Sequence, residues 1–168
     1  MNEVNLQLVA CIPRLRRYAR ALAGSRAAAD DLVQDTMERG WSRLSSWRRG
    51  SDMRAWLFGI MHNLWVDQTR KGHMVTEEFN ERTPEPAMVS SHLHRLEVRD
   101  LEAALRLLPA EQREILLLVA LEEMSYAEIA STLRIPPGTV MSRLARGRER
   151  LRALMEGRPV ASPLKVVK

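Results

Sequence analysis

The stretch from Ser125 to Arg152, SYAEIASTLRIPPGTVMSRLARGRERLR, constrains the fold of this chain more than any other. Its first half places apolar Ile129 and Leu133 at helical spacing. The pattern then breaks at residues 134–136, and Pro137 begins a second helical pattern. Proline is tolerated there, because the N–H that it lacks has no partner in the first turn of a helix. The spacing therefore predicts two helices joined by a sharp turn.

The second of these helices combines an apolar face with a basic one. Val140, Leu144 and Leu151 share the apolar face, and small Gly147 lies on the same side. The outward residues are Ser142, Ala145, Arg146 and Glu149, flanked by Arg143, Arg148, Arg150 and Arg152. A solvated helix surface would account for the arginines alone. Together with the turn and the small residues, they predict a helix-turn-helix whose second helix enters the major groove of DNA.

The overall charge agrees with a polyanionic partner. The formal net charge is +5 and the isoelectric point is about 10.1. A basic balance favours a polyanionic partner, such as nucleic acid. Hydrophobic residues make up 45% of the chain, which is enough for compact packing.

The remaining helical patterns predict an all-α fold with two small domains joined by a flexible linker. Helices are expected at 13–23, 27–44 and 53–71, then at 93–108 and 109–122, before the hairpin; no stretch alternates with the period of a strand. Residues 72–92 contain prolines and acidic residues and little periodicity, and are predicted to be the linker. The predicted domains are 1–71 and 93–156, with a disordered tail at 157–168.

The helix expected at 27–44 carries two distinct faces. Val33, Met37, Trp41 and Leu44 are spaced for burial. The acidic face of the same helix comprises Asp31, Gln34, Asp35 and Glu38. An acidic patch repels DNA, so in a DNA-binding domain it is expected to point toward a basic protein, although a merely solvated face has the same composition.

The region from Trp47 to Lys71 interleaves tryptophans with arginines, the combination that single-stranded DNA requires for stacking and phosphate neutralisation. Trp56 repeats with Ile60 and Leu64 at helical spacing and is expected to pack inward. We predict no packing role for His62 and Asn63, and an asparagine can pair with a base edge on both its donor and its acceptor side.

No constellation for catalysis or metal binding is found, and we expect no enzyme activity, no cofactor and no metal. Cys11 is the single cysteine, so an intrachain disulfide is impossible. The pairs Asp30-Asp31 and Glu122-Glu123 are interpreted as solvated helix positions. Without a signal peptide or a run of 18 apolar residues, the sequence predicts a cytoplasmic protein with no membrane insertion.

Three segments together resemble a known family. ADDLVQDTM, WRRGSDMRAWLFGIMHNLWVDQTRK and LPAEQREILLLVALEEMSYAEIASTLRIPPGTVMSRLARGRERL occur in the order typical of bacterial RNA polymerase sigma factors of the extracytoplasmic-function (ECF) group. The resemblance implies helical regions 2 and 4 of the sigma-70 family. It also implies that the chain binds core RNA polymerase, through the β′ clamp helices and the β subunit, and recognises promoter DNA. An anti-sigma factor is a further implied partner.

The resemblance also implies roles for individual residues. The core-polymerase contacts would be Asp31, Leu32, Gln34 and Asp35. The contacts to unpaired bases of the −10 element would be Arg49, Ser51, Asp52, Met53, Trp56, Asn63, Asp67 and Arg70. The contacts to the −35 element would be Thr139, Met141, Ser142, Arg143 and Arg146. Many family members have a basic residue where this chain has Met141, so apolar contact, for instance with a thymine methyl, is expected there.

Two other classes of protein fit parts of the pattern. A helix-turn-helix repressor or activator would read duplex DNA as a dimer, but would need neither the acidic helix face nor the Trp/Asn helix. A sigma-like protein that only titrates an anti-sigma factor would not support transcription. Binding to core polymerase distinguishes the first class, and promoter-dependent transcription distinguishes the second.

Overall fold

The computed structural model of the protein describes residues 2–76 and 93–157. These residues form eight α-helices and one 3₁₀ turn, with no strand among them, so the predicted all-α class is confirmed. The helices are α1 Glu3–Ala10, α2 Ile12–Leu22, α3 Arg26–Ser42, α4 Met53–Thr76, α5 Leu93–Arg106, α6 Ala110–Ala120, α7 Tyr126–Leu133 and α8 Pro137–Met155, and the 3₁₀ turn is Leu44–Ser46.

The first half of the chain packs α2, α3 and α4 around a continuous apolar core. Leu15, Leu22 and Leu57 are fully buried in it. The Tyr18 and Phe58 rings meet edge to face, with centroids 4.9 Å apart. Burial of the Tyr18 hydroxyl raises its pKa well above the ordinary value, so this side chain stays neutral inside the core.

Two boundaries in this half differ from the sequence-based expectation. Helix α1 was not predicted, because its apolar residues do not form one stripe: Leu8 is buried, whereas Leu6 and Val9 are exposed. Helix α4 continues to Thr76, five residues beyond the predicted end at Lys71. The rest of the predicted linker and the predicted tail from residue 158 lie outside the described residues.

The second half forms the expected helix-turn-helix. Ser125 begins α7 with a capping box: its hydroxyl accepts from the Glu128 N–H at 3.1 Å, and its own N–H donates to the Glu128 carboxylate at 2.7 Å. Arg134 ends the helix in the left-handed conformation, with φ of +56°. Pro137 lies in the first turn of α8, as predicted.

Helix α8 packs closely on α6 through Gly147. A Cβ atom at this position would lie 3.2 Å from Leu116 Cδ1 and 3.3 Å from Gln112 Cβ. Val140 and Leu144 are buried on the same side, and Leu151 is half-buried. The predicted inward stripe of the second hairpin helix is therefore confirmed.

The two halves of the chain contact each other directly. Helix α4 packs on α7, and α2 packs on α6. At the first contact, a Cβ on Gly59 would lie 3.3 Å from the carbonyl oxygen of Thr132. The linker was predicted to leave the two domains on a tether, whereas in this structure they are closed against one another.

Candidate nucleic-acid interface

The acidic face of α3 is exposed, as its spacing predicted. Asp31, Gln34, Asp35 and Glu38 all point to solvent. Leu32, which the resemblance placed in the polymerase interface, is instead fully buried in the core of the first half. Its side chain points away from the acidic face, so Leu32 positions the helix and offers no contact surface in this structure.

Trp41, near the end of the same helix, corrects the predicted burial pattern. It was expected to pack inward with Val33, but it is 52% exposed, whereas Val33 is buried. Gly40, beside it, takes the buried position against Leu57 and Leu8. The closeness of α4 at Gly40 leaves no room for a tryptophan on that side of α3.

The loop before α4 is fixed by its own hydrogen bonds. Gly50 has φ of +86°, and the Ser51 hydroxyl donates to the carbonyl oxygen of Arg48 at 2.6 Å. Asp52 caps α4, because its Oδ1 accepts from the N–H of Arg54 at 2.9 Å. Met53 is buried and anchors the loop to the core.

These contacts divide the predicted −10 residues of the loop into two groups. Asp52 and Met53 have structural roles, and Met53 has no free surface for a base. Arg49 and Ser51 are exposed. Of the predicted −10 residues in the loop, Arg49 and Ser51 are therefore the exposed ones without a capping role.

One face of α4 continues the surface of this loop. Asn63, Asp67 and Arg70 are exposed at spacings of four and three residues, so they lie on one side of the helix. Trp56, in the first turn of α4, is half-buried. Across the groove from Asn63 lie Ser131, Thr132 and Arg134 of the α7 end. In this arrangement the candidate −10 surface faces the first helix of the helix-turn-helix.

The outer face of α8 carries the residues predicted to contact the −35 element. Met141, Ser142 and Arg146 are exposed, and Met141 is 51% exposed despite its apolar side chain. Thr139 is half-buried. Arg143 is also half-buried and forms an ion pair with Glu111 of α6 at 3.1 Å, so a DNA contact from Arg143 competes with this pair.

Charged contacts across the two halves were not predicted from the sequence. Glu122, interpreted above as a solvated position, is 1% exposed and lies against Arg14, Arg17 and Arg54. His62, for which no packing role was predicted, lies with its Nδ1 2.5 Å from the Glu114 carboxylate. Both interpretations were wrong, because the partners lie in the other half of the chain.

The part of the chain that the structure describes offers neither a reactive thiol nor a metal-binding cluster. Burial raises the pKa of the Cys11 thiol, which Asp52 reinforces, so this thiol is a poor nucleophile at neutral pH. Residues 2–76 and 93–157 contain no group of three or more acidic, histidine or cysteine side chains that could hold a metal ion. Within the same residues no helix is long and apolar enough to cross a bilayer.

Known families match both halves of the chain. Residues 8–62 match the family described as the Sigma2 domain of PhyR, and residues 98–151 match Sigma-70, region 4. The chain is 36% identical to the ECF RNA polymerase sigma factor EcfG of Rhodopseudomonas palustris, over 88% of this chain and 82% of that protein. It is 37% identical to the ECF RNA polymerase sigma factor SigL of Mycobacterium tuberculosis, over 77% of this chain and 76% of that protein.

The fold is similar to that of a solved sigma factor. RpoE from Bartonella quintana, in complex with the anti-sigma factor NepR, superposes with a TM-score of 0.78 at 32% identity. The superposition covers 93% of this chain and 98% of that one. The similarity therefore extends across both halves of the chain.

Proposed function

Because the chain belongs to the ECF RNA polymerase sigma factors, we propose that it binds core RNA polymerase, recognises the −10 and −35 elements of its promoters and assists their melting. The observation that best supports this proposal is the separation of three exposed surfaces on three helices. The acidic face lies on α3, the polar face with Asn63 on α4 and the basic face on α8. The exposed residues of these three faces do not belong to the apolar core.

The α3 surface has the charge expected for polymerase binding. Asp31, Gln34 and Asp35 supply exposed acceptors on a protein whose net charge is +5. A negative patch on a basic protein selects against DNA and favours a basic protein surface. We propose that these three residues contact the β′ clamp helices, with Leu32 holding α3 in place from the core.

The α4 surface has the chemistry required to hold an unpaired base. Turning a base out of the stack costs a few kcal/mol, so it needs compensating contacts at the site. The Asn63 amide offers a donor and an acceptor, and Arg49 of the loop and Arg70 of α4 supply exposed positive charge. We propose Asn63 as the principal base contact and Arg49, Ser51, Asp67 and Arg70 as its surroundings.

The α8 surface suits duplex DNA. Its exposed Met141, Ser142 and Arg146 offer an apolar, a hydroxyl and a guanidinium group on consecutive parts of one face. We propose that they read the −35 element, and that Thr139 and Arg143 contribute from the half-buried edge. The nucleotide chemistry belongs to the polymerase, and the chain itself is not an enzyme.

We further propose that an anti-sigma factor restrains this protein. The support is the similarity to the Bartonella sigma factor, which was solved with one bound. The surfaces on α3, α4 and α8 are those that a restraining partner must cover or hold apart. We propose that release from this factor responds to stress or to another signal.

Run-off transcription tests the proposed function. Purified core polymerase is supplied with this protein and a genomic library, and the transcript starts are sequenced. We expect starts downstream of one shared pair of promoter elements, which appear only when the protein is added. Binding to DNA without binding to core polymerase would instead identify a helix-turn-helix regulator, and binding to core polymerase without transcription would contradict the sigma activity.

A further inference from the structure

The Glu122 cluster consists of Glu122, in the turn after α6, and three arginines of the other half of the chain, Arg14, Arg17 and Arg54. The Glu122 side chain is fully buried. Arg17 Nη2 lies 3.4 Å from its Oε1, while Arg14 Nη1 and Arg54 Nη1 lie 3.5 and 3.7 Å from its Oε2. One buried carboxylate is thus surrounded by three guanidinium groups.

The arginines also bind the backbone of the same turn. Arg54 Nη1 donates to the carbonyl oxygen of Glu122 at 2.8 Å, and Arg17 Nη2 donates to that of Leu121 at 2.8 Å. The cluster therefore holds both the charge and the backbone of the turn against α2 and α4. Within the closed structure, the three arginines neutralise a carboxylate whose burial without a partner would be costly.

Arg54 connects this cluster to the candidate −10 loop. Its Nη2 lies 3.4 Å from Oδ2 of Asp52, the residue that caps α4 at the end of the loop. The groove beside Asn63 is bounded on its other side by Thr132 and Arg134. The contact that joins the two halves is therefore directly adjacent to the surface that we propose binds promoter DNA.

We propose that the Glu122 cluster holds the two domains closed in the free protein, and that its separation is the step that admits core polymerase and promoter DNA. The inference rests on the proposed function and names a regulatory contact for it. The apparent affinity for polymerase is then the intrinsic affinity multiplied by the fraction of molecules in which the cluster is separated. An ion cluster of this kind also weakens as salt screens its exposed arginines.

Glu122→Gln tests the proposal, because it removes the charge and keeps the shape of the side chain. The matched control is Glu123→Gln, which removes the same charge from the exposed neighbouring residue. Small-angle scattering of the full chain measures closure without reference to function. A compact chain of this length has a radius of gyration of about 15 Å; we expect Glu122→Gln to increase it and Glu123→Gln to leave it as in the unmodified protein.

A second variant approaches the cluster from its exposed side. Arg14 and Arg17 are more than half exposed, so Arg14→Gln with Arg17→Gln removes the partners of Glu122 without emptying the core. The control is Arg16→Gln with Arg20→Gln, two exposed arginines of the same helix. Comparison of these two double variants tests the proposal even if circular dichroism shows that Glu122→Gln unfolds the second half.

Affinity for core polymerase completes the test. We expect Glu122→Gln and the Arg14/Arg17 variant to bind core polymerase about tenfold more tightly than their controls, since more molecules are open. Scattering profiles that match those of the controls would overturn the proposal. So would increased dimensions without any gain in affinity. If no variant and not even the unmodified protein bound core polymerase, the proposed function would fail, and scattering would still decide whether the cluster holds the domains closed.

Discussion

The guanidinium of Arg113 donates from Nη1 to the carbonyl oxygen of Leu22 at 2.9 Å, which joins α6 to the last residue of α2. The same group donates to the carbonyl oxygens of Leu105, Arg106 and Leu108, at 2.7, 2.9 and 3.0 Å. Burial, aided by the charge of Arg106, lowers the pKa of Arg113 below its ordinary value, but the group stays charged. One side chain thus satisfies the carbonyls at the end of α5 and also contacts the other half.

Arg113→Lys should destabilise the protein by ~2–4 kcal/mol, because an ammonium group cannot reach four carbonyl oxygens in a planar fork, and hydrogen bonds from charged groups contribute ~1.5–3 kcal/mol each without adding fully. Urea unfolding followed by circular dichroism measures this. The control is Arg106→Lys, which makes the same substitution at the exposed last residue of α5 and should reduce the stability little. Equal costs for the two variants would mean that the Arg113 hydrogen bonds add nothing.

Charge reversal on the acidic face of α3, Asp31→Lys with Asp35→Lys, should weaken core-polymerase binding about tenfold or more, a loss of at least ~1.4 kcal/mol. The helical content should be unchanged, because both side chains are exposed. The measurement is a binding titration at two fixed salt concentrations. Glu3→Lys with Asp100→Lys makes the same change in charge at two exposed positions elsewhere. A similar loss in that control would reduce the effect to net charge alone.

Asn63→Ala should reduce open-complex formation at duplex promoters and weaken binding of the holoenzyme to a single-stranded −10 oligonucleotide. The expected loss is ~1–3 kcal/mol, the contribution of one good base contact. Binding to core polymerase should be unaffected. Gln7→Ala removes an exposed amide from α1 and serves as the control. Normal melting rates in Asn63→Ala would assign Asn63 a structural role.

Arg146 and Arg150 should differ in what they contribute along α8. Arg146 is exposed on the outer face near Met141, whereas Arg150 is half-buried one turn later. Arg146→Ala should cost ~1–3 kcal/mol and relax the preference at one −35 position, while Arg150→Ala should weaken all sequences alike and lower the salt slope by about one. A randomised −35 library, bound at two salt concentrations, separates these outcomes. Uniform losses for Arg146→Ala would make it a phosphate contact.

Met141→Arg belongs to the same library. The exposed methionine cannot donate a hydrogen bond, whereas a guanidinium can bind the O6 and N7 atoms of guanine. We expect the preferred base at one −35 position to move toward guanine. An unchanged preference would place position 141 out of reach of the base edges.

The helix-turn-helix was predictable because its determinants are local. The spacing of Val140 and Leu144, the small Gly147 and the position of Pro137 all lie within one short segment. Helix α1 was missed because Leu8 is the only residue that it buries fully, which leaves no periodic stripe. Local pattern therefore predicted helices that bury several residues at helical spacing, such as α3, and overlooked one that buries a single leucine.

The contacts that close the two domains could not be found in this way. Arg17 and Arg54 lie 105 and 68 positions before Glu122 along the chain, so no local spacing connects them. The signal that was present is chemical: Glu122 lies between Leu121 and Met124, near a buried apolar run, where an acidic residue requires a partner. Which residue serves as that partner depends on how the two halves of the chain pack together, and the sequence pattern does not specify this packing.

The missing side chain at Gly147 has a consequence for how α8 can be aligned with DNA. Successive base pairs along each strand are stacked about 3.4 Å apart, so the groups that read them must be held to within a fraction of that distance. A methyl group at position 147 would lie 3.2 Å from Leu116 Cδ1, so the Leu116 side chain or α8 itself would have to move by a few tenths of an ångström. In the proposed function, the alignment of the reading helix with the base pairs thus depends on its buried face, where the absence of a Cβ at position 147 allows α8 to pack closely on α6.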